Sequence, residues 1–208
     1  INEFSSQRSL GYTAKSPRWA VAFKFKAEQA CTPVLSIDYQ VGRTGAVTPV
    51  ANLAPVQLSG TVVKRATLNN AGLMKEMDIR IGDWVYVEKG GEIIPKITGV
   101  ELEKRPVDST EPQFPGTCPV CGTPLVKSGD EAKWFCPNSD GCPPQIKGRM
   151  LHFISRKAMD ILAGEMTVEQ FYDSGIARKP SELYHISRYS LMGLEGWQDR
   201  SVTNFLQS

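Results

Sequence analysis

Four cysteines, Cys118, Cys121, Cys136 and Cys142, follow the spacing C-x2-C-x14-C-x5-C. Thiolates so placed can wrap one tetrahedral Zn2+ with four soft ligands, which leaves no position for water and makes the ion a folding element rather than a catalyst. Cys118-Pro119-Val120-Cys121-Gly122 and Cys136-Pro137-Asn138 put turn formers where the backbone must bend around an ion. The apolar residues between them are too few for a core, so metal binding would supply much of the folding energy of this segment. Two disulfides are the rival reading. The chain shows no signal peptide, and Cys31 adds an odd fifth thiol, which an oxidising compartment would make hazardous.

Other residues could meet phosphate or DNA. Trp19, Val21, Phe23 and Phe25 alternate with Ala20, Ala22, Lys24 and Lys26, the period of a strand with one apolar face. Lys24 then lies opposite the aromatics, either projecting into a cleft or, as periodicity alone favours, as a solvated strand lysine. In Gly42-Arg43-Thr44-Gly45 the glycines let backbone approach a phosphate and the guanidinium fork onto its oxygens. The same residues also read as an ordinary glycine turn. Ile93 and Ile94, between Lys89 and Lys96, read either as apolar wedges for a minor groove or as core strand residues.

These candidates must be carried by a multidomain α+β chain. Short β-type runs at 34–41, 45–50, 60–66, 83–87 and 93–102, separated by turn formers, predict a five-stranded barrel of OB type, with one helical interruption within residues 66–77. OB barrels grip nucleic acid with basic groups and apolar or stacking contacts. Pro106, Pro112 and Pro115 mark a linker to the cysteine segment. Pro143 and Pro144 open a helix with Ile146, Met150, Phe153 and Ile154 on one face, and His152 is a packing or surface residue. Thr167 to Gln170 has capping-box form, and the glycines at 193 and 196 separate helix-like pieces resembling helix-hairpin-helix elements, or else a plain bundle. The predicted divisions are 1–27, 28–112 for the OB-fold barrel, 113–145 for a small four-cysteine zinc finger and 146–208 for a partial helix-hairpin-helix domain. Composition, 41% hydrophobic with a formal charge of +2, contains no long apolar run and predicts a soluble cytoplasmic chain without a membrane anchor.

Motifs in order along the chain resemble the bacterial NAD-dependent DNA ligases: residues 16–25, 40–50, 66–70, 81–83, 93–95, the cysteine quartet and residues 152–161. The resemblance implies an enzyme that seals nicked double-stranded DNA. A lysine attacks the adenylyl phosphate of NAD, AMP passes to the 5'-phosphate, and the 3'-hydroxyl displaces it. Such chemistry is mostly electrostatic positioning, with magnesium or manganese steadying charged oxygens. By the same resemblance Lys24 contacts the adenylate phosphate, which reverses the periodicity reading. Arg43 and Thr44 face DNA, with Ile93 and Ile94 beside it, and the four cysteines hold zinc. The implied partners are nicked duplex and NAD or AMP, the implied state a monomer, and the implied roles DNA repair, replication and the response to DNA damage.

The family's lysine-x-aspartate-glycine nucleophile motif does not occur in these 208 residues. The expectation is therefore a fragment: the end of an adenylation domain, the barrel, the finger and part of a helical domain, unable to charge itself with AMP. Residues 161–165 keep only Gly164 of a family hairpin, and Gln198 stands where a second glycine is usual, so a phosphate grip there is weakened. A non-catalytic DNA-binding module and a zinc-stabilised scaffold are the alternatives.

Overall fold

The computed structural model describes residues 1–23, 27–90, 94–127 and 132–208. Five strands form a closed barrel: β1 (Gln29–Val41), β2 (Ala46–Leu58), β3 (Thr61–Thr67), β4 (Trp84–Gly90) and β5 (Ile94–Val100). Strand β1 pairs antiparallel with both β2 and β4, β2 with β3 and β4 with β5, while β3 meets β5 in parallel at Thr67 and Lys96. This closure is the OB arrangement. Along β2, Val47, Pro49, Ala51 and Leu53 are buried in alternation, and Ala51 and Leu53 fill the interior with Val34, Leu68, Val85, Val87 and Ile97. A one-residue slip would turn this set outward, so the apolar pattern fixes the register.

Two strands outrun the sequence reading. Strand β1 starts at Gln29, and β2 continues to Leu58 through Pro55. The register of β2 against β3 shifts between Asn52 and Val56, a bulge that accommodates the proline without ending the strand. The last strand ends at Val100, and Leu102–Lys104 is a 3-10 turn. The helical interruption is α2 (Ala71–Glu76), whose first turn is capped by Asn70 Oδ1 accepting the Leu73 N–H at 2.9 Å. Ala66 and Thr67 belong to β3 instead.

Leaving the barrel, the chain is tied back by a charge cluster built on one buried aspartate. Asp83, 0% exposed, accepts from the Arg80 N–H at 2.8 Å and from Arg105 Nε and Nη2, each at 2.9 Å. Arg105 Nη1 also reaches Asp78 at 2.6 Å, and this guanidinium holds the Asp78 carboxyl below the usual carboxylate range. The proline-bearing segment that follows is anchored too: the Tyr39 hydroxyl donates to the Gln113 carbonyl at 2.9 Å, and Phe114 packs against Tyr39 and Trp134.

The amino-terminal residues depart from expectation. Helix α1 (Phe4–Leu10) is followed by an isolated bridge between Tyr12 and Pro17, and residues 20–23 are not in a strand. Val21 is 95% exposed, because an alternating segment becomes a strand only where a neighbour pairs with it. Lys24 and Phe25 lie outside the described residues, as does Ile93.

The cysteine segment forms a small hairpin, β6 (Val126–Lys127) and β7 (Trp134–Phe135), and β7 also pairs with the start of β2. Beyond it lie α3 (Pro143–Ile154), α4 (Glu165–Asp173), α5 (Arg188–Met192) and α6 (Asp199–Gln207). Both prolines sit in the first turn of α3, where their missing N–H groups cost no helical bond. Ile146, Met150 and Ile154 of α3 join Phe171, Leu191, Val202 and Phe205 in a second core, with Trp197 stacked on Phe171 at 5.7 Å. His152 is exposed. The predicted cap at Thr167 is overturned: α4 begins two residues earlier, with Gly164 as its N-cap, so Thr167 is interior. Among the described residues no helix is long and apolar enough to cross a membrane.

Candidate metal knuckle and nucleic-acid interface

The first cysteine pair sits on a tight turn. The Gly122 N–H donates to the Cys118 carbonyl at 3.0 Å and the Cys118 N–H to the Thr123 carbonyl at 2.8 Å. Gly122 takes φ +72°, a conformation that suits glycine. Cys136 follows β7, and Cys142 is the N-cap of α3. Asn138 closes the last loop, its carbonyl accepting from the Cys142 N–H and its Oδ1 from the Gly141 N–H, both at 3.0 Å. The structure thereby brings the sequence-predicted quartet together, with all four Sγ atoms within 4.8 Å of one another.

Cys121 and Cys136 stand 3.5 Å apart and Cys118 and Cys142 3.8 Å apart at sulfur, well beyond a disulfide bond, and all four cysteines are free. The Thr123 hydroxyl and N–H pull the Cys121 thiol down to about 6, whereas burial pushes Cys136 up and Cys142 up to about 12. A buried group of four sulfurs cannot carry four negative charges unaided, and a cation at its centre reverses that cost. Four thiols at this separation fit a tetrahedral zinc ion, and each would supply one sulfur.

The other candidates lie on the barrel beside the knuckle. Arg43 and Thr44 are exposed at the tip of the turn joining β1 to β2, closed by the Gly45 N–H donating to the Gly42 carbonyl at 2.9 Å. Gly45 takes φ +84°, as the residue after such a turn does in a bulged hairpin. Arg43 makes no ion pair among the described residues. Its backbone lies against α3, where a Cβ on Gly148 would stand 3.0 Å from Arg43 Cβ. A groove of about 390 Å³ runs from Gly42 past Arg65 to Ile94 and Pro95. Ile94 is 64% exposed on its rim, so it is no core residue.

The sequence reading missed Gln145. It is 3% exposed, and its Nε2 donates to the carbonyls of Cys136 at 3.0 Å and Asn138 at 3.4 Å. The Asp83–Arg105 pair was missed as well. Only the glutamine's position three residues after Cys142 hinted at it, whereas nothing local links residue 105 to residue 83.

Comparison with known proteins agrees with this layout. The NAD-dependent DNA ligase adenylation domain matches residues 1–28, the NAD-dependent DNA ligase OB-fold domain 31–109 and the NAD-dependent DNA ligase C4 zinc finger domain 117–143. A DNA ligase of Parabacteroides distasonis is 54% identical over 100% of this chain and 32% of its own length. Those of Cytophaga hutchinsonii and Flavobacterium johnsoniae are 55% and 56% identical over 99% of the chain and 31% of theirs. The chain thus spans about a third of the length of the curated relatives it matches. With adenylation segment, barrel and knuckle matched in order, and similarity to three ligases along essentially all of its residues besides, the chain belongs to the NAD-dependent DNA ligase family.

Proposed function

We propose that this chain provides the duplex grip of an enzyme that seals nicks in DNA through an adenylated DNA intermediate, with NAD as the adenylate source and magnesium or manganese at the phosphates. The observation that carries the proposal is the Gly42–Gly45 turn: it exposes Arg43, which has no ion pair among the described residues, and its Gly42 lines the groove that ends at the exposed Ile94. A guanidinium there can fork onto a phosphate while the isoleucine edge enters a minor groove. Thr44 adds a hydroxyl beside Arg43, Ile93 would extend the apolar edge, and Lys24 would contact the adenylate phosphate. Zinc on Cys118, Cys121, Cys136 and Cys142 supplies a rigid tetrahedral centre that closes the knuckle.

In this reading residues 1–27 end an adenylation domain, 28–112 form the barrel, 113–145 the finger and 146–208 part of a helix-hairpin-helix domain. Support for the last comes from paired short helices, α5 and α6, joined by a turn containing Gly193 and Gly196, the latter at φ +81°. The setting is the repair and replication of DNA in the cytoplasm, with the chain working as a monomer. These 208 residues by themselves are expected not to charge with AMP, since no lysine-x-aspartate-glycine stands among them.

The test is binding of a fluorescent duplex carrying one nick. Arg43→Ala should bind about tenfold more weakly, and the slope of log affinity against log salt should become shallower by about one, the value of one lost phosphate contact. Equal binding by the variant at low and moderate salt would refute the role. Pre-adenylylated nicked DNA added to the chain separates a sealing fragment from a module that only binds.

A further inference from the structure

The peptide of Cys136 is held from both sides by residues that lie next to the Arg43 turn. Its N–H donates to the Gly45 carbonyl at 2.8 Å, and its carbonyl accepts from Gln145 Nε2 at 3.0 Å. Gly45 is buried in this junction: a Cβ there would stand 2.5 Å from the Cys136 carbonyl oxygen and 3.0 Å from Gln145 Oε1. One buried amide, carried on the first turn of α3, therefore meets both the metal-knuckle backbone and the glycine that ends the Arg43 turn. A buried side-chain amide is costly without its partners, which favours this one hydrogen-bonded arrangement.

We propose that Gln145 is a positioning residue for DNA engagement: by clamping Cys136 against Gly45 it sets the direction in which Arg43 and Thr44 leave the barrel. The proposal rests on the reading of Arg43 as a phosphate contact. Gly148 completes the cradle, since the absence of a side chain there lets Arg43 lie on α3. In this arrangement the ion holds Cys136, Cys136 and Gln145 hold Gly45, and the turn inherits its orientation from the knuckle.

The experiment uses the 208-residue chain loaded with Co2+, whose thiolate bands report the four-sulfur site, and a fluorescent duplex with one nick. Gln145→Met keeps the volume and removes the donor, and Gln145→Ala is the second variant. Both should keep the cobalt spectrum yet bind the nicked duplex about tenfold more weakly, with a salt slope shallower by about one, as for Arg43→Ala. Combining Gln145→Met with Arg43→Ala should be no worse than Arg43→Ala alone, because the two act through one contact. Wild-type binding by Gln145→Met, or an additive double variant, would overturn the proposal while leaving Arg43 in place. Loss of the cobalt spectrum in both variants would overturn it too, since Gln145 would then serve the metal pocket. If Arg43→Ala itself binds normally, the underlying reading fails instead.

Discussion

The barrel and the knuckle share one sheet through β2 and β7, yet different physics holds each together. The barrel interior is aliphatic, drawn from all five strands, and closes on itself. The knuckle buries little of its own beyond Leu125 and cysteine sulfur, and leans on Val47, Tyr39 and Val41 of the barrel. Its strands are two residues each. Hydrophobic burial suffices for the first region, whereas the second is a scaffold around an ion, and the β2–β7 pairing and the Cys136 N–H donating to the Gly45 carbonyl join them.

The largest effect should come from removing the ion. A structural zinc of this type contributes about 10 kcal/mol or more of apparent binding energy, so a strong chelator, or Cys142→Ala, should abolish amide protection across residues 117–142 while barrel amides stay protected. Simultaneous loss in both regions would show that they are a single cooperative unit. In the opposite direction, Leu68→Ala in the barrel core should cost about 4 kcal/mol in denaturant unfolding and leave zinc content unchanged.

Arg105→Ala should cost about 3 kcal/mol, since it leaves the Asp83 carboxylate buried without its guanidinium. Asparagine at position 83 in the same variant should recover part of this in urea unfolding, which separates the stranded charge from lost packing. The smallest effect is the acid response of Asp78. Its folded carboxyl lies below the usual range, so the stabilisation is full above the ordinary carboxylate pKa and fades as pH falls through the lowered value. Unfolding curves of Asp78→Asn and the wild-type chain should therefore converge as acid is added.

What was legible in the sequence was what neighbours in the chain determine. The cysteine spacing, the glycine-bounded turn and the short β-type runs each encode their structure within a few residues, and the barrel followed from their number and order. Features that depend on distant partners were not legible. The alternation at residues 19–25 has the right period, but residues 20–23 are not in a strand. The run at 45–50 extends to Leu58 through Pro55, because the bulge that absorbs the proline is set by pairing with β3. Thr167 carried a cap signal, yet Gly164 takes that place. Gln145 looked like any polar residue near a helix start, and its role needed the carbonyls of Cys136 and Asn138 brought to it by the fold.

By lying against Ala46 and Val47, β7 shields main-chain donors and acceptors at the mouth of the barrel. If the knuckle came loose, that stretch would become a template for a second copy to add its own strand. Self-association of the stripped chain would then precede unfolding, and the ion would act as a guard against clumping as much as a brace.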